Sequence, residues 1–189
     1  MRVVLASASP RRRELMTAAG LDVDVDPVEV DERLLAGEAP ATYVERVARL
    51  KAEAGAARHP GRVVIGADTA VVIDNDVLGK PRDAAEAAAM LRRLAGRDHD
   101  VMTGVAIAVG GRVDTFVERT HVSMTPLSAA DIEAYIATGE PFDKAGAYAI
   151  QGGAARFIAG FQGSYTNVVG LPVERLLEWI QVVSSGQRG

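Results

Sequence analysis

The chain is 189 residues long and carries 21 Lys and Arg against 25 Asp and Glu, a formal net charge of −4. Its 48% hydrophobic content is that of a globular chain able to bury a core, as one domain or two small lobes. The absence of Cys excludes disulfides, thiolate nucleophiles and sulfur-built zinc sites, and the net acidity argues against sequence-independent nucleic-acid binding.

Met1-Arg2 leads into a short apolar run, Val3–Ala6, predicted as a buried strand. Neither this run nor any other approaches the roughly 18 residues of a membrane span, so a cytoplasmic protein is expected, without signal peptide or membrane partner. Ser7-Ala8-Ser9-Pro10 then opens a helix, with Ser9 as N-cap, Pro10 at the first helical position and Gly20 as the stop. A second helix is predicted through the forties and fifties, opened by a capping box from Thr42 to Glu45. Arg62–Ala67 reads as a strand, and Ala70–Ile73 continues extended to a turn at Asp74-Asn75-Asp76. Asp83, with Glu86, caps a helix through Leu94 that Gly96 ends. Two longer strands flank a hairpin turn at Gly110-Gly111. Ser128 and Asp131 cap a further helix to Thr138, stopped by Gly139. Pro141–Pro172 is Gly-rich and reads as loop, with a short strand near Arg156–Ala159. Leu171–Val183 forms a last amphipathic helix, and the tail Ser184–Gly189 is expected to fray. Strands and helices alternate with one hairpin, which predicts an α/β fold with a mixed sheet flanked by helices.

Four segments could carry chemistry. At Ser7-Ala8-Ser9-Pro10-Arg11-Arg12 a strand runs into a helix N-terminus, where free N–H groups, two hydroxyls and guanidiniums suit an anion. An ordinary capped helix with a solvated basic face is the alternative, weakened because Arg stands at the unfavourable end of the helix dipole. Gly66-Ala67-Asp68-Thr69 places a carboxylate at the end of an apolar strand, where α/β sheets expose functional groups; a turn-capping Asp is the bland reading. Glu32 is a second acidic candidate, and the two carboxylates near phosphates would need a divalent cation between them. With His59, His99 and His121 isolated, any metal would be held by oxygen, which suits Mg²⁺ or Mn²⁺. Leu78-Gly79-Lys80-Pro81 lacks P-loop spacing and could be a simple turn. In Phe142–Gly152 small residues would admit a ligand closely, and the Gln151 amide could read a base edge, or the glycines merely serve turns. Only three of the basic residues are Lys, namely Lys51, Lys80 and Lys144.

Taken together, Leu5–Arg12, Gly66–Thr69, Gly79-Lys80-Pro81, Asp143–Tyr148 and Gly163–Tyr165 through Val168–Pro172 resemble the Maf family of nucleoside triphosphate pyrophosphatases. The resemblance runs from Leu5 to about Trp179 and rests on five motifs in the same order. It implies a single Maf-like domain over residues 1–189, an ITPase-like fold with two lobes around a nucleotide cleft, and hydrolysis between the α and β phosphates. It further implies a divalent cation, a cytoplasmic location and a homodimer. Asp143–Tyr148 and Ile150-Gln151-Gly152 are similar to the branch acting on dTTP and UTP, although Ala149 stands where that branch commonly has Gly. A 7-methyl-GTP pyrophosphatase and a nucleotide-binding regulator of cell division, with septum formation as its setting, are the alternatives. By the same resemblance Asp68 is the catalytic carboxylate, taken as proton acceptor, with a metal-binding role as its alternative. Arg12, Thr69 and Gln151 match positions linked to substrate choice. Ser7, Ser9, Arg11, Lys51 and Lys80 fall among the groups around the triphosphate, and Glu32 joins Asp68 as a metal ligand.

Overall fold

The computed structural model describes residues 1–184. In chain order the elements are β1 (Arg2–Leu5), α1 (Pro10–Ala18), β2 (Asp22–Val25), α2 (Pro40–Arg58), β3 (Val64–Ile73), β4 (Asp76–Leu78), α3 (Ala84–Leu94), β5 (Asp98–Val109), β6 (Arg112–Met124), α4 (Ala129–Ala137), β7 (Ile158–Gln162), α5 (Tyr165–Val169) and α6 (Val173–Ser184). The strands form a sheet in the order β2-β1-β3-β5-β6-β7, with β4 folded back on β3. β1 runs parallel to β2 and β3, whereas β3–β4 and β6–β7 are antiparallel. The sheet is therefore mixed, as expected. Residues 185–189, the greater part of the tail expected to fray, lie outside the described residues.

The chain groups into two compact units. The first comprises residues 1–69, 103–118 and 170 onward, and the second residues 70–102 and 119–169. β3, β5 and β6 contribute residues to both.

In the first unit the two-residue period of the strands sorts the core. Val3 and Leu5 of β1, Ile65 and Ala67 of β3, and Val105 and Ile107 of β5 face one side, where they pack with Met16, Leu171, Leu176 and Ile180. Val4, Ala6, Val64, Ala106 and Ala108 face the other side and pack with Ala48 and Ala52 of α2. This second layer is thin because its residues are small. At Gly66 a β-carbon would stand 2.6 Å from the Ala52 nitrogen and closer still to the Ala48 carbonyl oxygen. At Gly104 it would stand 2.7 Å from the Glu45 nitrogen and closer to the Val44 carbonyl. Only glycine lets the backbone of α2 lie this near β3 and β5.

The second unit holds β4, α3, α4, β7 and α5. Leu91 and Leu94 of α3, Ile132 and Tyr135 of α4, and Tyr148, Ile150 and Phe157 are buried there. The Tyr135 and Phe157 rings meet edge to face with centroids 5.6 Å apart.

The local signals hold where they are self-contained. Ser9 caps α1, Asp83 caps α3, and Ser128 with Asp131 forms a complete capping box on α4. Gly110 and Gly111 both take positive φ (57° and 79°) at the hairpin turn. Four expectations need correction. α2 begins at Pro40, two residues before the expected box: Ala39 is the N-cap without a side-chain bond, and the Glu45 carboxylate instead accepts from the Thr115 hydroxyl. β3 does not stop at Ala67 but runs on to Ile73, so Asp68 lies within a strand, not at its end. The neighbouring strand β1 ends earlier, its pairing with β3 stopping at Leu5↔Ile65, three residues before Asp68. β7 starts two residues later than expected because Arg156 and Phe157 belong to a 3₁₀ turn over Gly152–Phe157. The loop expected over Pro141–Pro172 contains three 3₁₀ turns and helix α5.

Candidate functional site

Strand alternation sends Asp68 and Thr69 to opposite faces of β3, and each meets a different helix of the first unit. Asp68 points toward α2, where the Lys51 ammonium donates to its Oδ1 at 2.9 Å. The same ammonium lies 2.9 Å from Oε1 of Glu32, which comes from the loop between β2 and α2. The Lys51 and Asp68 side chains are 8% and 11% exposed, whereas that of Glu32 is 52% exposed. A buried cation thus bridges one buried and one accessible carboxylate. Tyr43, two turns before Lys51 on α2, donates to the Glu32 carbonyl at 3.1 Å. Burial first, and then the charges of Asp68 and Glu32, push its phenol pKa up to about 12.

Thr69 points the other way, toward α1. The buried Arg12 guanidinium donates from Nη2 to Thr69 Oγ1 at 3.0 Å and from Nη1 to Ser7 Oγ at 3.0 Å. Nη1 also donates to the Ala67 carbonyl and Nε to the Gly170 carbonyl, each at 2.9 Å. Four of the five guanidinium N–H groups are thereby engaged. Burial lowers the Arg12 pKa and the Asp68 charge partly offsets it. Thr69 Oγ1 is also 2.9 Å from Thr103 Oγ1 and 3.2 Å from the Gly170 carbonyl. Ser7 Oγ accepts from the Ser9 nitrogen at 3.3 Å, and Ser9 Oγ accepts from the Arg12 nitrogen at 3.4 Å. The loop after β1 is thus tied by its hydroxyls and by Arg12. Arg11, the next side chain on α1, is half-buried.

Of the residues singled out in sequence, the first unit brings Glu32, Lys51 and Asp68 into one cluster and Ser7, Arg12 and Thr69 into another, with Ser9 capping α1. Lys80 and Gln151 belong to the second unit, where both are exposed. The turn before Lys80 is fixed by the Gly146 nitrogen, which donates to the Gly79 carbonyl at 3.0 Å. Gly146 has φ +68°, and a β-carbon there would lie 2.8 Å from Val71 Cγ1. Gln151 precedes a 3₁₀ turn whose Gly153 nitrogen donates to Glu140 Oε2 at 3.0 Å. Lys144 donates to the Glu140 carbonyl at 2.7 Å and to Asp143 Oδ1 at 2.6 Å, so it ties its own turn.

Sequence reasoning passed over Tyr43, Arg46, Glu38 and Thr103. None stands in a segment read as carrying chemistry: Tyr43 lies inside the expected capping box, and Arg46 on a helix reads as a solvated charge. Among the described residues no three His, Cys, Asp or Glu side chains form a metal-binding group by themselves. No helix among them is long and apolar enough to cross a membrane.

Comparison with known proteins gives this geometry its relatives. A protein named dTTP/UTP pyrophosphatase from Symbiobacterium thermophilum is 51% identical over 178 residues, 94% of this chain and 92% of that protein. One of the same name from Myxococcus xanthus is 54% identical, covering 90% of this chain and 87% of its own. A third, from Geobacter sp. strain M21, is 48% identical, covering 97% and 96%. The family model described as Maf-like protein matches residues 2–183. The chain belongs to the Maf-like protein family.

Proposed function

We propose that the chain is a nucleoside triphosphate pyrophosphatase that hydrolyses dTTP and UTP to the nucleoside monophosphate and pyrophosphate. The observation that carries this reading is identity of about half, over nearly the full length, to proteins named for that activity. The clustering of Lys51, Asp68 and Glu32 supports it from the side of chemistry.

In this reading Asp68 takes the proton of the attacking water as the bridging P–O bond breaks and pyrophosphate leaves with the bonding electron pair. Lys51 orients Asp68 through its 2.9 Å hydrogen bond and offers positive charge toward the phosphate oxygens. Asp68 and Glu32 would hold Mg²⁺ or Mn²⁺. Both carboxylates are the hard oxygen ligands such an ion takes, both lie 2.9 Å from the Lys51 ammonium, and substrate phosphates would complete the shell. When bound, the ion neutralises charge on the phosphates. Ser7, Ser9, Arg11 and Lys80 are assigned to the triphosphate. Arg12, Thr69 and Gln151 are assigned to substrate choice, with Arg12 acting mainly by fixing Ser7 and Thr69. We further assign the protein to the cytoplasmic nucleotide pool, as a homodimer and a single functional domain.

The test is direct. Purified protein with Mg²⁺ or Mn²⁺ should release pyrophosphate from dTTP and UTP in preference to other triphosphates, 7-methyl-GTP included. Orthophosphate as the sole product, or no turnover, overturns the reading. Light scattering on the eluted protein checks the dimer.

A further inference from the structure

The segment between β2 and α2 has no regular structure, and residues 31–37 are all exposed. A free loop of this kind would spread Glu32 over many positions, and ordering it costs backbone entropy residue by residue. Yet the Glu32 carboxylate meets the Lys51 ammonium at 2.9 Å. Arg33 ties itself locally to the Asp31 carboxylate, and the contacts that anchor the segment to the rest of the unit come from α2. Three successive carbonyls of the loop accept from two side chains of that helix. Asp31 accepts from Arg46 Nη1 at 3.4 Å, Glu32 from Tyr43 Oη at 3.1 Å, and Arg33 from Arg46 Nη2 at 2.9 Å.

Arg46 is itself held. Glu38, at the far end of the same loop, accepts from Nε at 2.6 Å and from Nη2 at 2.8 Å. The Glu38 side chain is 6% exposed, and its Oε2 also accepts from the Leu35 nitrogen at 3.1 Å. One guanidinium therefore grips both ends of the 31–38 segment, and its planar fork fixes direction as well as distance. A lysine could reach one of these partners but could not span them.

We propose that Arg46 is a positioning residue for the reactive centre: through the carbonyls of Asp31 and Arg33 and the carboxylate of Glu38 it holds Glu32 against Lys51. The proposal rests on reading Lys51, Asp68 and Glu32 as that centre. Tyr43 completes the grip from the preceding turn, and the Arg46 guanidinium lies 5.8 Å from its ring centroid. Glu38 acts through Arg46 and through the bond that it accepts from the Leu35 nitrogen.

Two measurements on the full chain test it. The first is hydrogen exchange, which needs no substrate: Arg46→Lys and Arg46→Ala should speed exchange across 31–38 by about tenfold or more while β3 keeps its protection. Unchanged exchange in that segment overturns the proposal. The second is a kinetic cycle with dTTP or UTP. Arg46→Ala should lower kcat/KM by roughly ten- to a hundredfold, Arg46→Lys by less, and neither should lower it further once Glu32→Gln is present. Losses that multiply would mean that Arg46 does not act through Glu32, and would overturn the proposal. If Arg46→Ala fails to fold, Arg46→Lys carries both measurements. A wild-type protein that turns over neither nucleotide defeats the proposed function alone, and the exchange result still decides whether Arg46 orders the segment.

Discussion

The Lys51 ammonium lies 2.9 Å from the Asp68 carboxylate, and both side chains are nearly sealed from water. A buried ion pair contributes little net stability compared with an apolar pair, but removing one partner strands the other. The two residues should therefore fail differently. Asp68→Asn keeps the shape and leaves Lys51 paired with Glu32. It should melt near wild type yet lose roughly a hundredfold or more in kcat. Lys51→Met leaves Asp68 as a buried carboxylate without its cation, and should cost about 3 kcal/mol of stability as well as activity. Urea titrations beside steady-state rates check the pair. Unchanged turnover in Asp68→Asn would remove Asp68 from the role of base.

Arg12→Lys should behave as a severe change despite keeping the charge. One ammonium cannot reach Ser7, Ala67, Thr69 and Gly170 together, and all of these acceptors but the half-buried Thr69 are buried. Loss of about 3 kcal/mol in urea unfolding is expected. Discrimination among triphosphates should relax as well, because Thr69 loses one of its three polar ties. Wild-type stability in this variant would mean that the four bonds count for little.

His99 gives the fold an acid limit. Its Nε2 is 2.5 Å from the Tyr148 hydroxyl, its ring is 4% exposed, and its Nδ1 has no partner among the described residues. Burial lowers its pKa to about 4, against 6.5 for the free side chain, and Asp100 and Asp98 offset this only in part. The unfolded chain thus binds the proton more readily. The stability due to keeping His99 neutral is complete above pH 6.5 and is lost as pH falls toward 4. The size is on the order of 3 kcal/mol. Thermal melts at pH 7.5 and pH 5 should differ in wild type, and His99→Phe should flatten that dependence.

Gly146→Ala tests the support behind Lys80. The new methyl would meet Val71 in a backbone region that favours glycine, and the Gly79 carbonyl would lose a well-placed donor. About 3 kcal/mol of destabilisation is expected, with KM raised more than kcat is lowered. Lys80→Arg is the companion variant. If its KM and kcat both stay at wild-type values, the compact ammonium is not what that position requires.

How far these features could be read in advance follows from how local they are. The Ser128–Asp131 box and the Gly110-Gly111 turn are settled within four residues, and the structure has both as read. The expected box at Thr42 failed because Glu45 answers to Thr115, 70 positions away. Asp68 and Thr69 were legible as chemistry-bearing residues, and strand period alone separates their faces once β3 is known to continue. The partners are another matter. That Lys51 reaches Asp68 depends on the register of α2 against β3. Arg12, read as a candidate ligand for phosphate, spends most of its donors on the protein itself. Arg46 carries no sequence signal, since its importance lies in three carbonyls and a carboxylate from an irregular loop.

Gly66 stands two residues before Asp68, and Gly104 lies on β5, where α2 presses on the sheet at Val44 and Glu45. Together they set a gauge: with no side chain between helix and strand, the spacing is fixed by main-chain atoms touching main-chain atoms. Lys51 and Asp68 inherit that spacing, so their separation is insulated from drift in the size of neighbouring side chains. A larger residue elsewhere on α2 can be absorbed by repacking its outer face, but a single methyl at either glycine acts as a shim that lifts the helix. The tolerance of the site is thus set by two residues that have no chemistry of their own.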